Sequence, residues 1–87
     1  MVMMTAAHEL APHGITVNAV APGSTETDIN RDMFADPVRR AAAIAPILLG
    51  RPGTPDDICG AVAFLASDAA SWITGATIGV NGGSLIR

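Results

Sequence analysis

The sequence contains no tyrosine and no lysine. Any mechanism that needs a phenol as proton donor, or an ammonium group to lower that phenol's pKa, is therefore out of reach of this polypeptide alone. There is a single cysteine, Cys59, which excludes an internal disulfide and a cysteine-based metal site. Within its predicted helix, beside Ile58 and Ala61, Cys59 reads as a small buried residue rather than a reactive thiol. Charged residues make up only 15% of the chain against 49% hydrophobic ones, which excludes a disordered polypeptide and predicts unusually complete burial. A basic surplus is also missing. The net charge of −3 argues against a nucleic-acid or anionic-membrane partner. No apolar run approaches the roughly 18 residues needed to span a bilayer. The opening "MVMMTAAHEL" carries no positive charge, so it does not read as a signal peptide, and a cytoplasmic setting is expected.

What is present is a short α/β pattern. At 87 residues the chain is at most one domain, and size scaling lets it bury only about 60–65% of its unfolded surface. Residues 2–11, "VMMTAAHELA", read as a helix with Met3, Met4, Ala7 and Leu10 or Ala11 near one face. The Met3/Met4 stripe suits a core or an interface. Pro12 and Gly14 stop the helix. Its start has no Ser, Asp or Asn cap, and the expectation is that Met1 falls inside a helix that begins earlier. The segment 15–21, "ITVNAVA", is β-branched and apolar on both faces apart from Thr16 and Asn18, as a strand of a parallel sheet would be. Pro22-Gly23 ends it.

Beyond that break the chain is irregular or loosely helical as far as Gly53. "TDINRDMF" predicts a helix start capped by Thr27 or Asp28, and "DPVRRAAAIAPILLG" a second helix interrupted at Pro46. The strongest local signal is "TPDDICGAVAFLASDAAS". Thr54 stands as N-cap, Pro55 at the first helical position and Asp57 three residues after the cap. Ile58, Ala61, Val62 and Leu65 then follow the i, i+3, i+4, i+7 spacing of one helix face. "ATIGVNGG" closes the chain as a strand with a Gly-Gly turn. Strand, crossover helix and strand make a parallel βαβ unit preceded by one helix.

Four segments together resemble the C-terminal part of the short-chain dehydrogenase/reductase family. They are "ELAPHGITVNAVAPG", "TET", "RPGTPDDICGAVAFLASDAASWITG" and "IGVNGG", in the family's order and spacing, and they cover essentially the whole sequence. The resemblance implies a piece of a Rossmann-type parallel sheet whose intact parent uses NAD or NADP to interconvert an alcohol and a carbonyl. It implies that Pro22 and Gly23 turn the chain beneath the nicotinamide ring. Thr25 would offer main-chain groups to the carboxamide, and the Thr27 hydroxyl would bond the same amide. The physics agrees: ligands of parallel α/β sheets bind beyond the strands' carboxyl ends, and a primary amide needs both a donor and an acceptor. Residues of about 24–53 correspond to the substrate lid. "TDIN…ADPVRR" resembles members acting on sugars or polyols, such as glucose dehydrogenases, while the rest suits 3-oxoacyl-acyl-carrier-protein reductases equally well.

The family's Gly-rich phosphate turn, its catalytic Ser and its YxxxK motif are absent from these residues, and Asn81 stands where Asp is usual. The expectation is a partial domain over residues 1–87 with no catalytic and no metal-binding residue of its own. It is expected to be inactive and to bind no cofactor alone, with a missing N-terminal half or further copies of itself as partners. The alternative is a non-catalytic oligomerisation or assembly module on the same fold, and a third reading is a small protein that retains some nicotinamide affinity. His8 and His13 stand too far apart for a dyad and read as helix-end histidines. Ser24, His13 and Asp28 form a hydrolase triad only on paper, with no nucleophile elbow. Arg39 and Arg40 read as a solvated face, and Trp72 as packing for the turn before the last strand.

Overall fold

The computed structural model describes residues 2–84. Helix α1 spans Val2–Leu10 and tightens into a 3₁₀ turn at Ala11–His13. Gly14 then takes the left-handed conformation (φ 73°) and donates its N–H to Ala11 O at 3.0 Å. Pro12 and Gly14 thus end the helix as expected. Of the anticipated helix face, Ala7 is buried, Met3 and Leu10 are half-buried, and Met4 and Ala11 are exposed. The expectation placed on Met1 lies outside the described residues.

Strand β1 is Ala19–Pro22 and β2 is Thr77–Val80; they pair in parallel, with Ala19 opposite Thr77 and Pro22 opposite Val80. The first strand is shorter than the 15–21 expected because its approach is held by side chains. Val17 N–H donates to Thr74 Oγ1 at 3.0 Å. The Asn18 amide donates to Ile73 O and accepts from Ala76 N–H, both at 3.0 Å. Asn18, which looked like a polar interruption of the strand, is the clamp that sets its register against β2. β2 ends in a turn where Asn81 Oδ1 accepts from Gly83 N–H at 2.9 Å. An Asn does here what the more usual Asp would do, because only the acceptor oxygen is used.

Helix α4, Pro55–Leu65, crosses between the strands and packs on both. Its start is a complete capping box. Asp57 N–H donates to Thr54 Oγ1 (3.3 Å) while Asp57 Oδ2 accepts from Thr54 N–H (2.8 Å). Arg51 adds a forked contact to the same carboxylate at 2.8 and 3.3 Å. The Arg51 guanidinium and then the Thr54 backbone and hydroxyl donors hold the Asp57 carboxyl well below the usual carboxylate range. A depressed folded pKa stabilises the fold fully above the unfolded Asp value of about 3.9, and the gain is lost as pH falls toward the folded value. A carbon-13 titration of the Asp57 carboxyl is expected to give a midpoint well under ~3.9. With Arg51→Gln that midpoint should move up, and a midpoint at the ordinary value in the unsubstituted chain would refute the pairing.

Between strand and crossover lie α2, Arg31–Ala35, and α3, Pro37–Ile44, packed against each other. Asp36 caps α3, accepting from Val38 N–H at 3.0 Å, and α3 ends before Pro46 as the sequence predicts. The cap of α2 is Asn30, not Thr27 or Asp28. Residues 28–30 form a turn instead, closed by Asn30 N–H on Thr27 O at 3.2 Å, and Asp28 pairs with Arg31. A turn needs only one bond across three residues, and that pairing draws Asp28 away from a capping position. The far end of this region is anchored to the end of β2 by Leu49 N–H on Gly82 O at 3.0 Å. A Cβ on Gly82 would lie 2.7 Å from Ile47 Cγ2, so the contact requires glycine there.

Burial is far less complete than the composition suggests. The buried hydrophobic residues among those described are Ala7, Phe34, Ile47 and Ala70. Both strands are half-buried at best, not covered on two faces. Cys59 is exposed, because α4 turns Ile58, Ala61 and Leu65 inward and Cys59 lies off that face; Val62, placed on the same face by spacing, is 51% exposed. Trp72 is 98% exposed and packs no turn. The Cα radius of gyration is 15.9 Å, against about 12 Å for a compact domain of this length. The accessible surface is 6183 Å² where size scaling gives about 4,800 Å². No described helix is long and apolar enough to cross a membrane.

Candidate functional site

Parallel pairing places the carboxyl ends of β1 and β2 at one edge, where the segment 23–27 meets the turn 81–84. Gly23 N–H continues the ladder to Val80 O at 3.0 Å. A Cβ at Gly23 would meet Asn81 Cα at 2.8 Å, so this glycine first serves the approach of the two strand ends. Pro22 is exposed at the end of β1.

The chain then runs alongside the segment that leads from α3 back to α4. Gly53 N–H donates to Ser24 O and Glu26 N–H donates to Gly53 O, both at 2.9 Å, an isolated parallel bridge centred on Thr25. In such a bridge the central residue's own N–H and C=O point away from the partner strand. Thr25 therefore directs its main-chain groups to the opposite side. There its carbonyl accepts from Asn30 Nδ2 at 2.8 Å, and Thr27 N–H donates to Asn30 Oδ1 at 2.7 Å. The Thr25 hydroxyl turns back onto Gly23 O at 3.0 Å. Among the described residues, Thr25 N–H and Thr27 Oγ1 have no hydrogen-bond partner. One donor and one hydroxyl are left free on a braced, half-buried bend.

A cavity of about 500 Å³ lies at the same sheet edge, lined by Ser24, Leu48, Leu49, Gly53, Gly82 and Gly83 among others. Thr25 and Thr27 are not in its lining. Its lining includes Gly53 and Asp57 but neither residue that carries the free groups, and the polar geometry marks the bend more strongly than that void does. No group of three or more His, Cys, Asp or Glu among the described residues is placed to hold a metal.

A family model described as enoyl-(acyl carrier protein) reductase matches residues 1–84. The chain belongs to the short-chain dehydrogenase/reductase family. It is 51% identical over 83 residues to 3β-hydroxysteroid dehydrogenase 1 of Eggerthella lenta, covering 95% of this chain and 32% of that protein. It is 53% identical over 77 residues to the 3-oxoacyl-acyl-carrier-protein reductase of Escherichia coli, covering 88% of this chain and 31% of the reductase. Among solved structures, a putative 2-deoxy-D-gluconate 3-dehydrogenase from Agrobacterium tumefaciens with bound NADP superposes with a TM-score of 0.89 at 43% identity, over 99% of this chain and 35% of that one. The chain thus spans about a third of the length of these relatives. The architecture is a Rossmann-type α/β piece with a parallel two-stranded sheet, as the sequence pattern implied.

The fold brings Pro22, Gly23, Thr25 and Thr27 to one strand end. Sequence reasoning missed Asn30, which clasps the bend from the other side. The signal available was its place at the start of "NRDMF", where an Asn reads as an ordinary cap. The structure shows no capping bond from its side chain.

Proposed function

We propose that this chain forms the nicotinamide-side wall of an NAD(P)-dependent short-chain oxidoreductase that interconverts an alcohol and a carbonyl, in a cytoplasmic setting. The observation that carries this reading is the pair of unpartnered groups, Thr25 N–H and Thr27 Oγ1, just past the carboxyl end of β1. They fit a carboxamide. Thr25 N–H would donate to the amide oxygen, and the Thr27 hydroxyl would accept from the amide nitrogen. Pro22 and Gly23 form the bend that leads into them. NAD or NADP, when bound, supplies the carbon that gives or takes hydride. This chain's own residues orient that ring and close one side of it. The proton-handling Tyr and Lys and the phosphate grip belong to residues other than these.

A non-catalytic assembly role is the second reading, favoured by the exposure of Val62, Phe64 and Trp72 at 51%, 47% and 98%. The two readings separate in a chimera in which this chain replaces the segment it matches in the E. coli reductase. Thr27→Val keeps the side-chain shape and removes the hydroxyl. It is expected to weaken NAD(P)H binding about tenfold, measured by cofactor fluorescence, with an unchanged Tm. Unchanged affinity would leave the assembly role standing in its place.

A further inference from the structure

The Asn30 side chain makes the two contacts that a β-strand partner would make to the bend: it donates to Thr25 O and accepts from Thr27 N–H. The same residue opens the lid. Its main-chain N–H closes the turn on Thr27 O, and its carbonyl accepts from Phe34 N–H at 3.2 Å in the first turn of α2. Phe34 is one of the few buried side chains, at 4% exposure, so α2 is seated rather than loose where Asn30 meets it. One residue therefore joins the amide-facing bend to the lid through four hydrogen bonds.

We propose that Asn30 is a positioning residue for the cofactor's carboxamide. The inference rests on the nicotinamide-side reading above and deepens it. Two facts set the role. The clasp takes up Thr25 C=O and Thr27 N–H and leaves Thr25 N–H and Thr27 Oγ1 free, one donor and one acceptor for an amide. It also fixes both residues relative to each other, since a single rigid amide bridges them. Without the clasp, residues 25–27 keep the Gly53 bridge at Ser24 and Glu26, the Thr25 hydroxyl on Gly23 O and the main-chain bond from Asn30 N–H to Thr27 O, but nothing holds Thr27 N–H and Thr25 C=O to each other. Movement of α2 is transmitted to the grip through the same bonds.

The test compares cofactors that differ only at the carboxamide. In the chimera with the E. coli reductase, equilibrium binding of NAD is measured beside an analogue with a methyl ketone in place of the amide. The ketone keeps the acceptor oxygen and lacks the N–H donors that the Thr27 hydroxyl would accept. The unsubstituted chimera is expected to favour the amide form by about tenfold. Asn30→Ala should bring that ratio to about one, mostly through weaker binding of the amide form. Asn30→Asp, which keeps the acceptor for Thr27 N–H and loses the donor to Thr25 O, should fall between.

Amide exchange at Thr27 provides a readout independent of the cofactor, in the 87-residue chain and in the chimera alike. It should quicken by roughly tenfold or more in Asn30→Ala and stay slow in Asn30→Asp. If Asn30→Ala weakens both cofactors equally, the residue is merely structural and the inference is overturned. Unchanged Thr27 exchange in Asn30→Ala would overturn it too. If the unsubstituted chimera binds NAD and the ketone analogue alike, the nicotinamide-side reading itself fails and Asn30's role goes with it.

Discussion

Purified by itself, the chain is expected to give no NAD(P)-dependent oxidation of any alcohol and no reduction of any ketone. Hydride transfer to or from a carbonyl requires a proton to move in step with it, and losing the group that moves it costs about 10²–10⁴ in rate. The chain has neither Tyr nor Lys. Asp57 is locked to Arg51 and Thr54 at the start of α4, and His8 and His13 sit exposed at the far end of α1 and the turn that follows it. Binding is expected to fail alongside chemistry, because one bend with two free polar groups cannot offset the cost of immobilising a dinucleotide. Titration calorimetry with NAD and NADP at millimolar concentration should show no heat. The chimera with the E. coli reductase should, in contrast, turn over a 3-oxoacyl thioester with NAD(P)H. Robust turnover by the isolated chain would refute the assignment of catalysis to residues other than these.

The second large effect is association. The surface exceeds that of a compact domain of equal mass by about 1,400 Å² (6183 − ~4,800). Much of it is apolar: Val2, Ile29, Val38, Leu48, Leu49 and Trp72 are each at least 65% exposed. The described sheet has two strands, so each outer edge offers unpaired N–H and C=O groups to another chain. Covering apolar surface is favourable at ~25 cal/mol per Å², and this gain works against an association cost of roughly 4–15 kcal/mol and the ordering of side chains at the contact. Light scattering is expected to give a mass above 8.8 kDa that rises with protein concentration. Adding the complementary N-terminal segment of a relative should reverse it. A monodisperse monomer with a sharp thermal transition would contradict this expectation.

Local chemistry is where sequence and structure agree best. Thr54, Pro55 and Asp57 specify the start of α4 through bonds that span three residues, and the capping box forms as written. Pro12 and Gly14 end α1, and α3 stops short of Pro46, for equally local reasons: a missing N–H and a permitted left-handed φ. The parallel order of strand, helix and strand followed from the length of the crossover.

Tertiary structure decided everything that depended on a distant neighbour. Asn18 broke an apolar run in the sequence, yet across 55 and 58 residues it finds the groups that fix the sheet register. Gly23 suggested room for a ligand, and its first demand turned out to be Asn81 on the other strand. Trp72 and Cys59 had the composition of buried residues and lie in solvent, because hydrophobicity states a preference for cover while only the packed elements determine where cover exists. Asn30 had a helix cap's identity and position, but the direction of its amide was set by the Thr25–Gly53 bridge, which turns Thr25 C=O toward it. Short-range hydrogen bonding is encoded in neighbouring letters, whereas the facing of a polar group is fixed only when remote backbone takes up its alternatives.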